Sequence, residues 1–346
     1  MKENIKFNLF NLFVFDGATL ASGEAADAAI HTTDTTALSP TFKTYYSKRL
    51  IRKAGPDLVY AQFAETVPLP EGNGKSIEFR GFKDLDTDVN SRYLEEGKTP
   101  DGQTLEQYAI VATLVQVGGY VTLTDMVMTV ALDPMLTNAV DKLSAQAAVV
   151  LDKIIRNTIS SDDETVNVYA GNHEGASEVT AADTITVADI RKMVTYLKRV
   201  NAPNINGAYP LILHPDVTMD LMATEEWKEM HKYARPENMF NGYVGDVAGA
   251  KIYESTNALI MQGASGVACY VGHLVAKGAY ATVSLSGGAL KSIIKPLGSA
   301  GSADPLDQRG TAGWKASTAT KVLIPEYIVC YHCASTMNAT DEIETV

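Results

Sequence analysis

Cysteine is scarce in this chain: three in 346 residues, at Cys269, Cys330 and Cys333. An odd, sparse count excludes a disulfide framework and suits a reducing compartment. Cys330-Tyr331-His332-Cys333 has the CxxC spacing of metal and redox sites. It lies in a strand-like run, Val322-Leu323-Ile324 through Ile328-Val329, where positions three apart point to opposite faces. No second Cys/His pair follows nearby to complete a tetrahedral site, so the cysteines read as structural and no metal is expected. Basic residues are also outnumbered, 29 Lys and Arg against 41 Asp and Glu, for a formal charge of −12. That balance argues against sequence-independent nucleic-acid binding, which needs cations to replace phosphate counterions. It favours solubility instead. No apolar run approaches the roughly 20 residues that span a bilayer, so no membrane partner is expected. Leu9 to Phe15, behind Lys2 and Lys6, resembles an export signal. Asn11 interrupts the run, Asp16 stops it early and Glu3 dilutes the basic region, so an arm that docks its aromatics on a neighbour fits better.

Catalytic signatures are missing as well. No G-x-S-x-G elbow occurs, and the six histidines (His31, His173, His214, His231, His273, His332) fall into no ligand spacing. Gly72-Asn73-Gly74-Lys75-Ser76 looks like the end of a phosphate-binding loop, but position 69, where the motif needs glycine, is Leu69. The segment also follows Pro68 and Pro70 and opens a strand rather than a helix, so a turn leading into a hairpin is the better reading. A nucleotide hydrolase using Gly74, Lys75 and Ser76 is the enzyme alternative. His214-Pro215-Asp216 reads as a strand end followed by a helix start. Asp162-Asp163 and Glu225-Glu226 are adjacent pairs, expected as solvated faces or turns. No catalytic residue, cofactor site or metal ligand is assigned.

What the chain does have is a long hairpin. Lys75-Ser76-Ile77-Glu78-Phe79-Arg80-Gly81-Phe82-Lys83 roughly alternates apolar and polar residues, the mark of a half-buried strand. A polar, Gly/Pro-rich connection runs from Asp84 to Gly102. The return arm extends from about Thr104 through Ile110-Val111-Ala112-Thr113-Leu114-Val115 to Tyr120-Val121-Thr122-Leu123. A two-stranded hairpin alone is marginally stable at best, so this one must lie on its own body or on another copy.

The longest helical pattern opens at Asp133-Pro134. Leu136, Val140, Leu143, Ala147, Val150 or Leu151, and Ile154 form its apolar stripe, which continues to about Ile159. Thr186, with Asp189 three residues on, caps a second helix whose inward stripe is Ile190, Met193, Val194 and Leu197. Tyr209 to His214 reads as a strand and Asp216 to Ala223 as a short helix. Lys251–Glu254, Val267–Val271, Tyr280–Leu285, Lys291–Ile294 and one strand near 320–333 complete the pattern. Near the N-terminus, Ser39-Pro40 to Gly55-Pro56 bounds a basic helix with Lys43, Lys48, Arg49, Arg52 and Lys53 beside Phe42, Tyr45, Tyr46 and Leu50. Its cations are a solvated face, a contact for an acidic neighbour, or a contact for nucleic acid.

A set of motifs carries a family likeness: Asp16-Gly17-Ala18; Glu96-Gly97-Lys98-Thr99-Pro100-Asp101-Gly102; Gly119-Tyr120-Val121-Thr122-Leu123-Thr124-Asp125; His214-Pro215-Asp216; Trp227 to Ala234; Gly298 to Arg309; and Gly313-Trp314-Lys315. In this order and spacing they resemble the N4-like major capsid proteins of tailed bacteriophages. The resemblance implies an α+β chain with the Hong Kong 97-type capsid fold. It implies an N-terminal arm and helix over 1–56 and a first peripheral part over 57–161. That part holds an extended β-hairpin loop at 73–104 and a spine helix at 133–161. An axial domain over 162–295 and a return to the peripheral domain over 296–346 follow. The implied function is structural, in the icosahedral head shell that encloses phage DNA. Implied partners are other copies in hexamers and pentamers, a portal, and packaged DNA at the inner wall, held non-specifically. The arm is too short for a fused scaffold, which implies a separate scaffolding protein. The implied location is the virion, after assembly in the bacterial host cytoplasm. An encapsulin-like non-viral shell shares the fold and is the second alternative.

Overall fold

The computed structural model describes residues 59–346 apart from 71, 73, 90–92, 94–95, 98–101, 131–134, 235–244, 286–289, 300–303, 341–342 and 345–346. The expected N-terminal arm, its basic helix and the Asp133-Pro134 helix start lie outside the described residues. In chain order the first elements are β1 (Glu65–Leu69), β2 (Ser76–Phe82), β3 (Gln107–Thr113), β4 (Val115–Thr124), α1 (Asp125–Val130) and α2 (Met135–Ser160). Next come β5 (Val166–Tyr169), α3 (Val187–Arg199), β6 (Tyr209–Leu213), α4 (Pro215–Ala223), α5 (Glu225–Ala234), β7 (Asp246–Val247) and β8 (Ala250–Glu254). The chain closes with β9 (Leu259–Gln262), β10 (Ala268–Val275), β11 (Tyr280–Leu285), β12 (Lys291–Lys295), β13 (Arg309–Val322) and β14 (Ile328–Cys333). The class is α+β, as expected.

Two sheets carry the body. In the first, β13 is central: β4 pairs antiparallel along one edge, from Arg309↔Thr124 to Thr318↔Val115. Along its other edge lie β12 and then β11, with β1 parallel beyond β11. The second sheet runs β5-β14-β10-β6-β8-β7, with β9 beside β6 on β10. Sheet membership runs across the expected division at residue 295. β11 and β12 lie in the first sheet, and β14 lies in the second.

Two expected strands are each split. The return arm of the hairpin breaks at Leu114, whose N–H donates to the Lys75 carbonyl at 2.8 Å. β3 therefore stays with β2 while β4 leaves to join β13. The single strand expected near 320–333 ends at Val322. Pro325–Tyr327 then forms one 3₁₀ turn, and β14 starts in the other sheet. Proline has no N–H to give to a ladder, so it marks the crossing. Most of β13, residues 309–319, was not expected, because Gly and Ala there dilute the strand-forming Thr311, Trp314 and Thr318. Its burial nonetheless alternates, with Gly310, Ala312, Trp314 and Ala316 inside.

The long helix α2 packs on both sheets. Val140, Leu143 and Ala147 meet Ala312, Trp314 and Ala316 of β13. Ile155 and Ile159 meet Ile212, Val271 and Ile328 of the second sheet. Leu143 lies on the buried face as expected, but Ile154 does not, and Ile155 takes its place. At about 100° per residue, Ile154 returns to the side of Leu143, whereas Ile155 and Ile159 sit about 120–160° further round. The buried face turns because the helix changes partner along its length.

The opposite layer follows expectation. The Thr186 hydroxyl accepts from the Asp189 N–H at 3.2 Å and starts α3. Ile190, Met193, Val194 and Leu197 are buried against β6, β10 and β14. The central strands β6, β10 and β14 are buried on both faces. Cys330 faces the α2 side and Cys333 the α3 side, the opposite-face arrangement expected of that spacing.

Leu143→Ala and Ile155→Ala should each cost about 2–5 kcal/mol in urea unfolding, the usual range for a buried large-to-small change. Half-buried Ile154→Ala should cost about 1 kcal/mol or less. An equal loss at Ile154 and Ile155 would contradict the turn of the buried face.

Candidate interaction surface

The residues that imitate catalytic sites are all used in packing or turns. Gly72 and Gly74 take φ of +88° and +85°, conformations that favour glycine. Ser76 then opens β2, opposite Thr113. A strand follows, so no helix N-terminus is present to hold a phosphate. His214 caps α4, its Nδ1 accepting from the Asp216 N–H at 3.3 Å. Asp216 in turn accepts from the Tyr270 hydroxyl at 2.8 Å. Burial pushes the Cys269 and Cys330 thiols up to about 12, which keeps them un-ionised and inert. Among the described residues no group of three His, Cys, Asp or Glu is placed to hold a metal. No described helix is long and apolar enough to cross a membrane.

Ser160 and His273 stand 2.9 Å apart, a distance that invites a catalytic reading. The directions of the hydrogen bonds argue otherwise. The Ser160 hydroxyl donates to the Arg156 carbonyl, also at 2.9 Å. It must therefore accept from His273 Nε2–H, which leaves Nδ1 to accept from the Tyr60 hydroxyl at 3.3 Å. The serine proton is committed to a helix carbonyl, and the histidine is fully buried. Burial first, then the nearby His332 and Arg156, lower His273 to about 3 and hold it neutral.

The distinctive surface is the β2–β3 hairpin. Ile77, Phe79, Ile110 and Ala112 share one face, and only its root is covered. There Ala112 packs with Leu69, Val283 and Ala319. A Cβ at Gly81 would run into the Tyr108 ring, which lies across it from β3. This explains the glycine in the alternating strand. Large apolar side chains stand in water: at the root Val111, on the face opposite Ala112, is 55% exposed, and further out Phe82 is 60%, Leu105 58% and Tyr93 75% exposed. The ion pairs Lys83–Glu106 and Arg80–Glu78 are exposed too, and such pairs contribute little. A second apolar group follows β4, with Val115 and Tyr120 exposed, and β4 pairs only with β13 among the described residues. Clustered exposed apolar surface of this kind marks a site for another macromolecule.

Apart from this surface, the body holds a polar network that sequence reading missed. Arg156 of α2, 1% exposed, donates to the Asn257 carbonyl at 2.7 Å, to Asn157 Oδ1, and to Glu344 near the chain end. Lys153 also binds Glu344. Asp152 accepts from the Tyr60 N–H at 2.9 Å and from Asn257 Nδ2 at 3.1 Å. Burial raises the Asp152 carboxyl, against those two hydrogen bonds. Burial also pushes Glu344 up, but hydrogen bonds from Arg156 and Lys153 outweigh it and hold that carboxyl below its usual range. No local signal marked these residues: the same helix carries Asp141, Lys142 and Lys153, which are not buried.

Because its folded titration is lowered, Glu344 contributes stability above its ordinary carboxylate range, and loses it as pH falls through the folded value. Glu344→Gln should cost about 1–2 kcal/mol at pH 7, discounted for partial exposure. The gap to the parent should close in acid; a gap that persists at pH 2 would show that the carboxylate charge is not the cause. For His273 the unfolded imidazole titrates near 6.5 and the folded one at about 3. Its stabilising effect is whole above 6.5 and is lost progressively towards 3. The acid decline of the urea midpoint should therefore be shallower in His273→Gln, and equal slopes would refute the buried neutral ring.

Comparison with known proteins bears on what this surface meets. A family model described as phage capsid protein matches residues 107–331. No curated protein matches the chain in sequence. Among solved structures, the acid-stable capsid of Helicobacter pylori bacteriophage KHP30 is similar at 13% identity and a TM-score of 0.61, over 96% of this chain and 99% of that one. The capsid of the cyanophage P-SCSP1u is similar at 15% identity and 0.59, over 92% and 93%. The capsid of Ralstonia phage GP4 is similar at 12% identity and 0.59, over 79% and 87%. At these identities the structural likeness concerns the fold.

Proposed function

This chain belongs to the phage capsid protein family, as a structural subunit of the tailed-phage head shell with the Hong Kong 97-type fold, and on that premise we propose how its parts divide the work. The peripheral part is the first sheet with the first half of α2. The axial part is the second sheet with α3, α4 and α5. The hairpin is the extended loop, and it lies on a neighbouring copy in hexamers and pentamers. The motifs from Glu96 to Gly102 and from Gly298 to Arg309 favour the N4-like branch. Scaffolding is supplied by a separate protein, a portal occupies one vertex, and DNA meets the inner wall non-specifically. Assembly takes place in the bacterial cytoplasm. The subunit carries no catalysis: Lys75 precedes a strand, and Ser160 gives its proton to a carbonyl.

The observation that carries this reading is the apolar hairpin, covered at its root on one face and exposed on the other face and beyond. Contacts between unlike patches of identical subunits close into rings. A hairpin that finds its second apolar surface only on the next copy would couple its own order to assembly.

Deleting Asp84 to Gly102 should leave a folded subunit, with unchanged circular dichroism, that forms no closed shells in electron micrographs. Val111→Asp should weaken assembly in the same direction without unfolding the body. Normal shells from the deletion would remove the hairpin from the assembly contact.

A further inference from the structure

Between β3 of the hairpin, away from its root, and the link from β13 to β14 lies a groove of about 900 Å³. Its apolar wall is Tyr108 and Ile110 on the hairpin side and Leu323 and Ile324 opposite. Its rim carries Asp162, Asp163 and Glu164, from the turn after α2, and Glu326. Asp162 uses its carboxylate within the turn, accepting from the Glu164 N–H at 3.2 Å. Asp163, Glu164 and Glu326 have no ion-pair partner among the described residues. Of the two lysines present, Lys83 is taken by Glu106 at 2.8 Å. The groove is thus apolar within and negative at its rim, which excludes nucleic acid as an occupant and suits a basic amphipathic segment.

This chain contains such a segment. Residues 39–55 hold Lys43, Lys48, Arg49, Arg52 and Lys53 with no acid among them, interleaved with Phe42, Tyr45, Tyr46 and Leu50. Reach favours the segment of the same chain. Tyr60 packs in one cluster with Val322, and Val322 also lines the groove. Gly55 is five residues before Tyr60, a span of at most about 17 Å. A tethered segment so close competes at high effective concentration against any free one.

We propose that residues 39–55 seat in this groove of their own subunit, with cations against Asp163, Glu164 and Glu326 and aromatics against the apolar wall. Seated there, the segment clips the hairpin to the link between β13 and β14. It also spends the chain's densest cationic stretch on protein rather than on DNA. This goes beyond the shell reading, because the seat is complete in one subunit.

The test uses full-length, unassembled subunit treated with a water-soluble carbodiimide, which couples lysine to a carboxylate in direct contact. Peptide mapping should find Lys48 or Lys53 joined to Asp163, Glu164 or Glu326, with yield falling severalfold as salt screens the pairs. In a mixture of nitrogen-15-labelled and unlabelled subunits, each joined pair should carry a single label. As a second measurement, Lys48→Cys, Arg49→Cys and Arg52→Cys, each combined with Glu326→Cys, should form a disulfide at monomer mobility. The native cysteines are buried and will not compete. Arg49→Cys with Glu178→Cys, an exposed acid away from the groove, should not couple. Mixed labels or dimer bands would overturn the proposal by assigning the seat to a neighbour. Absence of both kinds of link, or equal coupling to Glu178, would overturn it outright.

Discussion

A guanidinium removed from water has to be answered by acceptors, and Arg156 sets that requirement in the second half of α2. Stripping such a group of solvent costs several kcal/mol unless its geometry is well met. Here the answers come from distant parts of the chain: Asn257 before β9, Glu344 near the C-terminus and Asn157 alongside. One turn earlier, Asp152 binds the Tyr60 N–H and Asn257. Tyr60 then reaches His273 in β10 and accepts from Tyr280 in β11 through its carbonyl. The segment before β1, both sheets and the chain end are thereby referred to a few residues of one helix. Apolar packing alone tolerates exchange among similar side chains. A polar network buried to this degree permits far fewer arrangements.

That arrangement suits a subunit whose work is mechanical. The body is held by two packed sheets and a helix common to both, while among the described residues the hairpin is held at its root, where Ala112, Ile77 and Phe79 pack with Leu69, Val283 and Ala319. Force or contact applied along β2 and β3 reaches the first sheet through β4, which follows β3 after a single residue. From β4 it passes to β13 over ten paired positions. The apolar side chains that would be a liability on a solitary protein stand on the hairpin and along β4. In a shell these are the surfaces available to neighbours. The strongly shifted titrations of His273, Cys269 and Cys330 come chiefly from burial, so they report the density of the core rather than chemistry.

Much of this was readable in the chain because it is local. The Thr186 cap, the Ile190–Met193–Val194–Leu197 stripe and the His214-Pro215 junction follow from hydrogen bonds and periodicity within a few residues. The hairpin was readable from alternation and glycine turns, and the opposed faces of Cys330 and Cys333 from the period of a strand. What stayed hidden depends on partners far along the chain. β13 is a strand because β4, β11 and β12 supply its ladders, although its small residues barely favour one. Ile155 rather than Ile154 is buried because α2 passes from one sheet to the other. The breaks at Leu114 and Pro325 separate strands that local pattern joins. The family, the class, the hairpin and the capped helices were determined by sequence alone. Which sheet each strand joined, which way α2 turned its face and where a charge could be buried were decided by tertiary contact, because each is a choice between surfaces that exist only once distant segments have met.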